Sequence, residues 1–177
     1  RGKLTAKVQL NFGGINDNAY RGLFAELTPK ERQRFFEKVL RKVLPTAKLI
    51  NLTISPKNMH DTSKLLSVNI EYEAENIFIK ENDTAMLPLQ WFGKTVGIIN
   101  YIIRETGLEK RKYPLETNTT CGYKENFSIK IDSKQLKFES IPSYMDVNTE
   151  TITYKQKLNF IDNTLKGSSE FLLKVVE

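Results

Sequence analysis

The stretch LTAKVQLNFGG, Leu4 to Gly14, decides the fold class. Leu4, Ala6, Val8, Leu10 and Phe12 alternate with Thr5, Lys7, Gln9 and Asn11, the period of a strand with one buried and one wet face. Gly13 and Gly14 end the run, and the spacing then becomes helical: Ala19, Tyr20, Leu23, Phe24 and Leu27 share a face, with Asn16, Asp17 or Asn18 as cap. A second helix starts at Thr28, where Pro29 suits the first helical position and Glu31 completes a capping box. Its apolar face is Phe35, Phe36, Val39, Leu40, Val43 and Leu44, and Pro45 closes it.

Alternation dominates the remainder. Ile50, Leu52 and Ile54 predict a strand, and Leu66, Val68, Ile70, Tyr72 and Ala74 a longer one. Ile77 to Ile79 and Ala85 to Leu89 read as short strands, and Val96, Ile98, Ile99, Ile102 and Ile103 as a helix capped by Gly107. Phe127, Ile129 and Ile131, a turn at Asp132 and Ser133, then Leu136, Phe138 and Ile141 before Pro142 predict a hairpin. Ile152, Tyr154, Gln156, Leu158 and Phe160 form another strand, and Phe171, Leu172, Val175 and Val176 have the spacing of a short terminal helix behind a Ser168 or Ser169 cap. The expected class is mainly β (α+β): an antiparallel β-sandwich of roughly eight to ten strands, with an amphipathic helix pair after the first strand.

The 177 residues, 40% of them hydrophobic, suit one domain over 1–177 with a full core. A single cysteine excludes an internal disulfide and a multi-cysteine zinc module. No apolar run approaches the roughly 20 residues of a membrane helix. The start RGKLTAKVQL, without initiator methionine or signal-like apolar region, leads to the expectation of a piece of a longer protein. The net charge is +6, but 21 acidic residues offset 27 basic ones, a balance that serves solubility before nucleic-acid binding.

Cys121, within RKYPLETNTTCGYKE (Arg111 to Glu125), raises the question of a nucleophile; catalysis would need His60, the sole histidine, as its base. A lone Cys with a lone His is an ordinary chance occurrence. Glu71, Glu73 and Glu75 share one strand face and have the chemistry for a hard cation, yet they fall where a half-buried strand places its solvated residues. Lys30, Arg34, Lys38, Arg41 and Lys42 make the second helix basic, again more simply a solvated face. Asn-x-Ser/Thr triplets at Asn51, Asn82, Asn118 and Asn126 are too common a pattern to indicate glycosylation, and two lie in predicted strands. No catalytic, cofactor or metal residues are assigned.

The succession RGKLTAKVQLNFGG, AYRGLF, VNIEYEA, MLPL, RKYPLE, FSIKI and FESIP resembles the C-terminal β-domain that follows the catalytic core in bacterial multidomain transglutaminase-like proteins. Arg21 and the Arg111 to Pro114 stretch carry most of that resemblance. It implies that the Cys, His and Asp of a papain-like triad lie upstream, that Cys121 inherits no role, and that the protein is extracytoplasmic with an N-terminal β-domain before the core. The expected function is then a non-catalytic accessory domain that packs against or positions the adjacent transglutaminase-like domain of the same polypeptide. The rivals are a β-sandwich module for a glycan or cell-surface polymer, stacking on Trp91 with Phe92 or on Tyr101, Tyr113 and Tyr123, and a free-standing cysteine enzyme. Neither nucleic acid nor a transmembrane segment enters these expectations.

Overall fold

A computed structural model describes residues 2–89, 91–104, 119–131 and 138–174. Strands dominate, and among the described residues they fall into three separate antiparallel sheets. The chain divides into two compact units, Arg1–Val96 and Gly97–Glu177.

In the first unit, β1 (Lys3–Phe12) leads through α1 (Ile15–Glu26) and α2 (Pro29–Val43) to β2 (Lys48–Ser55) and β3 (Leu66–Glu75), giving the sheet order β1-β3-β2. β3 is central, so Leu66, Val68, Ile70, Tyr72 and Ala74 are all buried, as their alternation predicts. The helices cover this face, where Phe12, Tyr20, Phe24, Phe35 and Phe36 interlock; Phe12 and Tyr20 have ring centroids 4.6 Å apart, Phe35 and Phe36 5.1 Å. The capping box forms: Thr28 Oγ1 accepts from the Glu31 amide at 3.3 Å, and Glu31 Oε2 accepts from the Thr28 amide at 2.8 Å.

Local physics shifts two of the expected details. α1 begins at Ile15, ahead of the Asn16–Asn18 cap, because Gly14 takes φ 55° and ψ −131°, a conformation open to glycine, and turns the chain directly into the helix. In β2 a bulge between Leu49 and Asn51 flips the alternation, leaving Ile50 60% exposed and turning Leu49 inward in its place. The short strands expected at Ile77–Ile79 and Ala85–Leu89 become the two-stranded hairpin β4 (Ile79–Glu81) and β5 (Thr84–Met86).

In the second unit, the helix expected over Val96–Ile103 is one turn, α3 (Ile99–Ile102), and its expected cap Gly107 lies outside the described residues. β6 (Cys121–Lys130), β7 (Val147–Asn148), β8 (Ile152–Ile161) and β9 (Thr164–Leu173) form a sheet in the order β6-β9-β8-β7. The terminal helix is thereby corrected: Phe171 and Leu172 belong to β9, Ser168 and Ser169 are strand residues rather than caps, and Val175 and Val176 lie outside the described residues. β9 is central, paired along its length with β6 and β8, and this non-local pairing overrides the local spacing. The β8–β9 turn is Asp162–Asn163, both with positive φ (50° and 58°), as a two-residue hairpin requires. The hairpin expected across Asp132 and Ser133 falls in part outside the described residues. Phe127 and Ile129 pair with Gly167 and Leu165, Phe138 and Ile141 lie in irregular backbone, and residues 132–137 are outside the described set.

The sheet's inner face carries Cys121, Tyr123, Phe127 and Ile129 of β6 beside Leu165 and Phe171 of β9 and Leu158 and Phe160 of β8. Gly167 is needed there, because a Cβ would collide with the Phe127 ring and Leu158. The connection into β7 lays Phe138 against Phe160, with centroids 4.0 Å apart and the rings stacked. Among the described residues, no helix is long and apolar enough to cross a membrane.

Candidate functional site

Cys121 is the first residue of β6, 4% exposed, packed in a cluster with Ile99 and Leu173. Burial pushes its thiol above the ordinary value, so the thiolate that attack requires is disfavoured. His60 belongs to the other unit, in an exposed turn where its amide donates to Asn58 Oδ1 at 3.0 Å. The fold therefore gives Cys121 a packing environment and His60 a solvent-facing one.

The carboxylates on β3 have cross-strand partners. Glu71 lies opposite Lys7 and pairs with it at 2.8 Å, while Glu73 lies opposite Thr5 and pairs diagonally with Lys3 at 3.4 Å. Such exposed pairs contribute about 0–1 kcal/mol each, and they give the acidic row the solvated role its alternation predicts. Glu75 is exposed, its carbonyl accepting from Thr46 Oγ1 at 2.6 Å. Lys30, Arg34, Lys38, Arg41 and Lys42 are all exposed on α2, opposite the buried Phe36, Val39, Leu40 and Val43. Asn51 and Asn126 lie in β2 and β6, Asn82 in the β4–β5 turn with φ 52°, and Asn118 outside the described residues.

The residues expected to form a stacking platform differ in exposure. Trp91 and Phe92 are 3% and 5% exposed, and a ring face held in the core is closed to a sugar. Tyr123 is half-buried against Phe171, and Tyr113 lies outside the described residues. Tyr101, 68% exposed, is open to solvent.

Two features emerge that residue patterning did not assign. The first is Arg21, 7% exposed on α1. Its Nε donates to Asp17 Oδ2 at 2.7 Å, Nη1 to the carbonyls of Met59 (3.2 Å) and Asp61 (3.1 Å), and Nη2 to the carbonyl of Lys64. A planar fork with five donors can serve a carboxylate and three diverging carbonyls together; an ammonium cannot. The loop so gripped is tightened further from within: Ser63 donates from its hydroxyl to Asp61 Oδ1 at 2.5 Å, and this bond, ahead of Lys64, holds the Asp61 carboxyl below its ordinary value. The available signal was Asp17 four residues before Arg21, an acid-to-base helical pair.

The second feature is the β4–β5 arm. Ile77 is buried and Phe78 and Leu87 pack on the core, which roots the arm. Beyond them Ile79 and Met86 face each other across the ladder, 60% and 64% exposed, and all six strand residues are open to solvent. A lone two-stranded ribbon is marginally stable in water, and this one carries an uncovered apolar pair.

Comparisons with family models, curated proteins and solved structures find no match to this chain.

Proposed function

We propose that this chain is a non-catalytic accessory domain, the C-terminal β-domain of an extracytoplasmic bacterial transglutaminase-like protein, which packs against and positions a catalytic domain carried upstream in the same polypeptide. The observation that carries the reading is the β4–β5 arm, with Ile79 and Met86 paired yet uncovered. Burying the exposed part of both side chains would contribute about 2–3 kcal/mol, a useful fraction of a domain interface that is otherwise polar. Arg21, the arginine of AYRGLF, holds the Met59–Lys64 loop. Cys121 in turn is occupied in packing. In this reading the antiparallel strands are those of a sandwich-like accessory domain.

The test is hydrogen exchange on this chain and on the native polypeptide, which an antibody against the chain would trace as a band well above 20.4 kDa. Residues 79–86 should exchange rapidly in the isolated chain and be protected in the longer protein. Equal exchange in both would remove the packing role. Hydrolase or transferase turnover by the chain alone, abolished in Cys121→Ala, would remove the accessory role altogether.

A further inference from the structure

The wet face of the β6-β9-β8 ladder is rich in lysine. Residues directly opposite each other in an antiparallel ladder share a face, so the register places Lys124 and Lys155 on either side of Glu170, Lys157 beside Ser168, Lys166 between Ser128 and Asn159, and Lys130 beside Thr164. Lys157, Lys166 and Lys130 thus step diagonally across β8, β9 and β6, each diagonal about 7–8 Å at the backbone. All five lysines are exposed. The one acid on this face of the three long strands, Glu170, reaches Lys124 only at 3.9 Å. Among the described residues, Lys130, Lys155, Lys157 and Lys166 have no acidic partner.

From this arrangement we propose that the wet face of the β6-β9-β8 ladder is a membrane-surface contact that docks the second unit on a bilayer rich in anionic headgroups. It rests on charge and not on the apolar arm, so it is independent of the accessory-domain reading. Three properties favour a lipid surface over other polyanions. The cations are all lysine. An ammonium is a hydrated point charge on a flexible stem, suited to a plane of many anions, whereas bidentate reading of individual phosphates or carboxylates favours arginine. No aromatic side chain lies on this face of the three strands, so bases and sugar rings find no stacking platform. The lysines also come from one side of one sheet, so all five can reach a plane at once.

A lysine near an anionic bilayer contributes about fivefold in partition, and the effect falls away within a Debye length. The five lysines less Glu170 therefore give weak, salt-sensitive, reversible attachment.

The experiment is sedimentation of the whole chain with vesicles of equal parts phosphatidylglycerol and phosphatidylcholine, against phosphatidylcholine alone, at about 0.05 M and about 0.5 M salt. The proposal expects binding to the anionic vesicles at low salt only, reduced about 100-fold in the triple variant Lys155→Gln, Lys157→Gln, Lys166→Gln, and unchanged in Lys30→Gln, Arg34→Gln, Lys38→Gln on α2. If the triple variant loses its cooperative unfolding, Lys157→Gln and Lys166→Gln singly, each expected to cost about fivefold, carry the test. No binding to the anionic vesicles at low salt would overturn the proposal. So would binding lost in the α2 variant and kept in the sheet variant, or binding to soluble heparin or polyglutamate that outcompetes the vesicles.

Discussion

Replacing Arg21 by methionine keeps most of the stem's volume and removes the fork. Asp17 then loses its cation, and the carbonyls of Met59, Asp61 and Lys64 lose their donors in a site where the arginine side chain is 8% exposed. The Asp17 pairing, with that carboxylate 26% exposed, is screened and contributes about 1 kcal/mol. Each orphaned carbonyl costs about 1 kcal/mol or more until the loop opens to water, which brings the total to about 3–4 kcal/mol. Met59 is in the core, so the loop cannot open freely without disturbing it. The chain's one tryptophan, Trp91, is buried in the first unit, so its fluorescence during urea unfolding follows that unit. With a slope of about 1.5–2 kcal/mol per molar urea, the midpoint should fall by about 2 M. Arg21→Lys should lose most of the same stability, since charge is retained but the fork is not. A lysine variant melting at the wild-type midpoint would refute the argument from fork geometry, and a methionine variant doing so would refute the clamp itself.

Two further outcomes follow from the titrating groups. Cys121 should react with a thiol reagent such as dithionitrobenzoate far more slowly in the native chain than in urea, because the thiol is both buried and held protonated; equal rates would place it at the surface. The Glu31 carboxyl is held below its ordinary value of 4.5, first by the Thr28 side chain and then by the Thr28 amide. A depressed folded value means that the carboxylate's contribution is fully present above about pH 4.5 and lost as the pH falls through the lower folded value. Exchange at the N-terminal turn of α2 should accelerate over that acid window in the wild type but not in Glu31→Gln, and identical profiles would exclude the capping box as the cause.

What was legible in the sequence depended on how far away the deciding atoms lie. The capping box needs only Thr28, Pro29 and Glu31, and it forms as spelled. The β3 alternation also held, because a central strand with one covered face permits no other register. Ile50 broke the same rule through one inserted residue, which reverses every side chain before it. The last strand failed for a different reason. Phe171, Leu172, Val175 and Val176 are equally consistent with a helical face, and only pairing with Tyr123 and Tyr154 at Phe171 decides the matter. The local clue was Asp162–Asn163, two residues tolerant of positive φ between alternating runs.

Function was less legible than fold for a related physical reason. In sequence, Lys124, Lys130, Lys155, Lys157 and Lys166 are isolated cations of the kind that keeps any surface wet, whereas Lys30, Arg34, Lys38 and Arg41 read as a stripe because helical spacing is local. Pairing reverses that impression. The helix stripe is interrupted by Glu37, and its first turn carries Glu31, while the ladder collects five lysines from three strands around one glutamate. Arg21 follows the same logic, since three of its acceptors lie 38 to 43 residues away. Charge that acts collectively on a sheet is set by register, and register is settled only when the strands meet.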